Sequence, residues 1–214
     1  MATRWMDNIR NTGQLKIFPG GSITAGGWRS TFTAMIAEWN RQAAAGNFGI
    51  TFVAATAAPG SAAGGADVQL EAVNGPFTFA INGVTLSGTL SGSATSAETK
   101  LVMREFNQRP PGGGSPTTVR RIENALIVVP ARPMASSPRR PLGDGVKLCI
   151  GVHELVHAAG LSNADHGQDD IFFGFPQLRT GSTPTRDGIA SGSTVMPPIV
   201  FSAQTIARIR ANWA

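Results

Sequence analysis

The chain has 214 residues, a single cysteine (Cys149) and a formal net charge of +5. This excludes an intramolecular disulfide and any multi-cysteine metal site, and no apolar run approaches the roughly 20 residues of a membrane-spanning helix. Gly (26) and Pro (14) are abundant and charged residues make up only 14%, so turns and loops must fill much of a single domain.

The first 21 residues carry Arg4, Asp7, Arg10 and Lys16 without an apolar stretch, which is not the pattern of a Sec signal peptide. A bacterial cytoplasmic location and export by a non-Sec route both remain open. Residues 15–18 suit a short strand. Phe32, Met35, Ile36, Trp39 and Ala43 recur at helical spacing and predict an amphipathic helix over 31–44, with Ser30 as its cap and Gly46-Asn47 as its stop. Residues 49–55 (GITFVAA) read as a buried strand, and 67–73 as a strand with one wet face.

Phe77, Phe79 and Ile81 precede Asn82-Gly83, and Val84 and Leu86 follow it. Asn-Gly favours the type I′ turn, so a β-hairpin is expected over 76–90. Residues 100–106 suit strand or helix. Residues 109–116 and 130–142 read as loops on either side of a buried strand at 125–129 (ALIVV). Seven arginines against two glutamates lie between Arg104 and Arg140 and account for the whole charge excess. Phe106 is the one aromatic among them, so base stacking has no support, and the stretch reads as solvated loop rather than nucleic-acid surface.

Asp144 is placed to cap a helix running to Ala159, apolar nearly all round and therefore buried. Residues 161–200 are mostly irregular, and Ser202 caps a last helix, 203–213.

The chemistry is concentrated in His153-Glu154-Leu155-Val156-His157, and all three histidines of the chain lie within 153–166. Histidines four apart on a helix stand one turn apart on one face, where both can grip one Zn²⁺. Glu154 is the candidate general base, taking a proton from the water that attacks a carbonyl. A catalytic zinc needs a third protein ligand. Gly160 can turn the chain sharply, and His166 is the expected ligand after it, with Asp165 as the alternative and Asn163 a poor donor. Cys149, one turn before His153, reads as a core residue.

The stretch HELVHAAG at 153–160, together with Ser193-Thr194-Val195-Met196-Pro197, resembles the metzincin clan of zinc endopeptidases. The resemblance implies that Met196 occupies a tight Met-turn beneath the metal. It also covers the upstream order of helix, strands and active-site helix. The clan's usual third ligand falls three residues after the glycine, where this chain has Asn163. His166 stands three residues further on, and no tyrosine follows the Met-turn.

The expectation is an α+β, metzincin-like fold over 1–214. A twisted mixed sheet would pack on two long helices in an upper lobe of about 1–160, and a small irregular lower lobe, about 161–214, would end in a helix. Zinc would sit in the cleft, held by His153, His157 and His166. An extended peptide would pair with an edge strand, expected at 67–73. The implied activity is endopeptidase hydrolysis by metal-activated water with Glu154 as base, in a chain expected to be monomeric, without membrane or nucleic-acid partners. The competing reading is a catalytically silent zinc-binding interaction module.

Overall fold

A computed structural model describes residues 2–61, 64–90, 97–110, 112–136, 139–141, 143–166 and 199–214. It is a mixed α+β fold. Its central sheet has five strands in the order β2-β1-β3-β7-β6, with β1 Gln14–Pro19, β2 Thr51–Ala54, β3 Val68–Val73, β6 Glu98–Gln108 and β7 Thr117–Pro130. The β1–β2, β1–β3 and β3–β7 pairs are parallel, and β6 is antiparallel to β7.

Alternation along β7 shows how the sheet is covered. Ala125, Ile127 and Val129 point into the main core with α3 (Arg29–Gly46) and α4 (Asp144–Ala158). Leu126 and Val128 point the other way, onto Phe77, Ile81 and Leu90 of the hairpin β4 (Gly75–Ile81) and β5 (Val84–Leu90). Both faces are therefore buried along 125–129, and this is why that segment reads as a continuous apolar run. The hairpin turns through Asn82 and Gly83, at φ 49° and 76°, as the Asn-Gly pair predicts.

Several expectations are corrected. β3 lies between β1 and β7 and cannot be the edge that receives a peptide. Among the described residues the edges are β2 and β6. Residues 98–108 are strand. β7 begins eight residues before 125, because its first half pairs with β6 in a long arm. That half lacks apolar alternation and is held by cross-strand ion pairs, Arg104 with Glu123 and Arg120 with Glu105 (3.0 Å). Within the stretch expected as loop, β8 (Met134–Ser136) pairs with β9 (Arg139–Pro141). Short helices α1 (Asp7–Arg10) and α2 (Gly21–Thr24) were not indicated by periodicity.

The caps also differ in part. α3 starts at Arg29 with no side-chain cap, and Asp144 is the first residue of α4 rather than its cap, bonding Lys147 Nζ at 2.8 Å. Asn47 ends α3 in the left-handed conformation (φ 50°) as expected. Ser202 caps the last helix, α5 (Ala203–Trp213), accepting from Thr205 N at 3.2 Å. Ile199, Phe201, Ile209 and Trp213 join the same buried cluster as α3 and α4, so α5 shares the main core. No helix among the described residues is long and apolar enough to cross a membrane.

Candidate metal centre

α4 carries the site. Val146, Val152, Leu155 and Val156 on it are fully buried, which fixes the helix against the sheet and α3. Gly151 is part of that fit, since a Cβ there would stand 2.8 Å from Met35 Sδ. The helix spacing puts His153 and His157 one turn apart, with Nε2 atoms 3.0 Å from each other and ring centroids 4.8 Å apart.

The chain leaves α4 at Gly160, where two constraints require glycine. Its φ is +98°, and a Cβ would lie 2.2 Å from the Thr3 carbonyl oxygen. The next six residues turn back under the helix. Ser162 N (3.0 Å) and Ser162 Oγ (2.6 Å) both donate to Asp165 Oδ2, and Asp165 N donates to the Ser162 carbonyl at 2.8 Å. This compact turn delivers His166, which is 4% exposed, to a position where its ring centroid is 5.0 Å from those of both other histidines.

The ligand-capable atoms of His153, His157 and His166 lie within 4.8 Å of one another. Four ligands arranged tetrahedrally at zinc–nitrogen distances stand about 3.3 Å apart, so small side-chain movements would bring these three onto one ion. The electronic state fits as well. Burial, followed by the neighbouring His157 and His166, pushes the His153 pKa down to about 3. Burial also lowers His157, against the raising effect of its bond to Leu161. Both rings are thus neutral, as a metal ligand must be. His157 Nδ1 donates to the Leu161 carbonyl at 2.8 Å, which leaves the lone pair on Nε2, facing His153. A set of three imidazoles suits a divalent zinc, copper, iron or nickel ion.

Asp165 is engaged elsewhere. Besides the Ser162 bonds, its Oδ1 faces Arg208 Nη1 at 3.7 Å. Burial raises its pKa, but hydrogen bonds and nearby positive charge, the Ser162 bonds first among them, together hold it below the usual carboxylate value. Asn163 is exposed at the outside of the turn. Met196, with the rest of the expected Met-turn, lies outside the described residues.

Glu154 is 4% exposed, and its Oε2 accepts a 2.6 Å hydrogen bond from Thr99 Oγ1 on β6. Burial pushes its pKa up to about 7, with the Thr99 bond acting in the opposite direction. Thr99, the Leu161 carbonyl and Arg208 are the contributions that sequence reasoning missed. None is signalled locally, since Thr99 stands 55 residues from Glu154 along the chain.

Cys149 is 4% exposed, and burial pushes its thiol up to about 12. Alkylation requires the thiolate. The native protein is therefore expected to resist iodoacetamide at pH 8 and to react stoichiometrically once unfolded. Rapid native labelling, read by intact mass, would contradict the buried position.

No family model, no curated protein and no solved structure matches the chain.

Proposed function

We propose that this chain is a zinc-dependent endopeptidase of the metzincin type. The observation that carries the proposal is the convergence of three imidazoles, His153, His157 and His166, at a helix whose next residue after His153 is the buried Glu154. Three protein nitrogens leave one coordination position for reactants, the arrangement of catalytic rather than structural zinc. When bound there, zinc supplies Lewis acidity, polarising a carbonyl and bringing the pKa of water towards neutrality.

The protein groups divide the remaining work. Glu154 takes the proton of the attacking water and returns it to the departing amine. A base with a pKa close to the working pH is suited to both transfers. Thr99 fixes one carboxylate oxygen through its 2.6 Å bond, so the other oxygen is the one available to the proton. The substrate site follows from the sheet edge. Among the described residues β6 is an edge of the sheet, and its residue Thr99 touches Glu154, so a peptide paired along the outer side of β6 would pass beside the base.

Metal analysis of the purified chain, with peptide-library digestion in the presence and absence of chelator, tests this reading. About one zinc per chain and chelator-sensitive cleavage are expected. Zinc without cleavage would favour the silent binding module, and absence of zinc would overturn both. Chelation should also lower thermal stability, because an ion bound only to the folded state stabilises it by about 4 kcal/mol at about 1,000 times Kd. For a chain of this size, about 2–4 °C per kcal/mol gives a fall in Tm on the order of 10 °C. An unchanged Tm after exhaustive chelation would argue against metal at this site.

A further inference from the structure

Eight residues separate His157 from His166, and the third ligand is only as well placed as the turn that carries it. Metal affinity depends on ligands held in position before the ion arrives. The Ser162–Asp165 bonds close the turn on itself, and the bond from His157 Nδ1 to the Leu161 carbonyl ties its first residues to α4. The far end, next to His166, is held from α5.

At the near end of the turn, Asn212 Nδ2 (3.0 Å) and Trp213 Nε1 (2.9 Å) both donate to the Ala159 carbonyl. At the far end, Arg208 Nη1 donates to the Ala164 carbonyl at 2.7 Å and faces Asp165 Oδ1 at 3.7 Å. Arg208 and Asn212 are one helical turn apart and therefore share a face of α5. The helix thus spans the segment from Ala159 to Asp165 and grips both ends. Asn212 and Trp213 are buried, whereas the Arg208 side chain is 37% exposed, so Arg208 alone can be changed without disturbing the core.

We infer that Arg208 is a positioning residue for the metal centre, bolting the turn that presents His166 to α5 and thereby setting zinc affinity. The inference rests on the zinc reading proposed above. Arg208 lies outside the histidine cluster and acts through the Ala164 carbonyl and Asp165. One guanidinium nitrogen, Nη1, makes both the carbonyl bond and the approach to the carboxylate. A lysine at this position keeps the charge on a shorter side chain and holds the turn less firmly.

The experiment measures zinc dissociation constants for the full chain by competition with a chromophoric chelator, alongside the Tm of each metal-free protein. Arg208→Met is expected to weaken zinc binding about 10–100-fold, the usual cost of losing a group that orients a ligand. Arg208→Lys should fall between Met and the parent. Arg210→Met is the control. It removes the same charge from the same helix but breaks a bond to the Gly46 carbonyl (2.6 Å), away from the turn. It should leave zinc affinity within about twofold of the parent, whereas a general loosening of α5 would weaken both variants alike. Zinc binding by Arg208→Met within about twofold of the parent overturns the inference. So does equal weakening in the two methionine variants. Should Arg208→Met fail to fold, the lysine variant decides by the same comparison. A parent chain that binds no zinc removes the proposed function and this inference together, and is recognised by the parent measurement alone.

Discussion

Replacing Glu154 with glutamine is expected to leave about one zinc per chain while reducing peptide hydrolysis by about 10²–10⁴-fold, the usual contribution of a general base. That range corresponds to about 3–5 kcal/mol of transition-state stabilisation. Glutamine keeps the volume of the buried side chain, and its amide oxygen can still accept from Thr99 Oγ1. The loss should therefore fall on kcat with metal content unchanged. Stability gives an independent check on the metal-free proteins. Burial raises the folded-state pKa of Glu154 from 4.5 to about 7. Between those values the folded state holds more protons than the unfolded state, so stability falls as pH rises through this window. Glutamine has no such proton, and the metal-free variant should be at least as stable as the parent above pH 7. Turnover within a few-fold of the parent would remove Glu154 from the mechanism.

The parts of this protein legible in its sequence are those fixed by local spacing. Histidines four apart declare a shared helical face. Asn82-Gly83 declares a hairpin turn, and Gly160 marks a helix end that only glycine fits. The long-range partners were not legible. β3 reads as a half-wet strand because Gln69 interrupts its apolar residues, yet it sits second from one end of the parallel set, and only the pairing with β7 shows that β6 is the edge. The first half of β7 carries Arg120, Arg121 and Glu123 where a buried strand would carry valine or isoleucine. Its order comes from pairing with β6 and from the N-terminal segment, where Ile122 N donates to the Arg4 carbonyl at 2.8 Å. Thr99 belongs to the same class: its role exists only because β6 lies against α4.

The third ligand provides the second large expected effect. Removing one of three protein ligands leaves two histidines, and a catalytic zinc site needs three protein groups to retain its ion. His166→Ala should therefore lose most of its zinc and nearly all activity. Asp165→Asn should do less. The asparagine oxygen can still accept from Ser162 N and Oγ, but the charge facing Arg208 is gone, so the turn loosens and zinc binding weakens by about tenfold. Asn163→Ala should be milder still, because that side chain is exposed at the outside of the turn. The expected order of zinc loss is His166, then Asp165, then Asn163, read by metal content after dialysis against a weak chelator. Loss of metal from Asp165→Asn with retention by His166→Ala would instead make the centre two histidines and an aspartate. His166 would then be an ordinary buried residue of the turn.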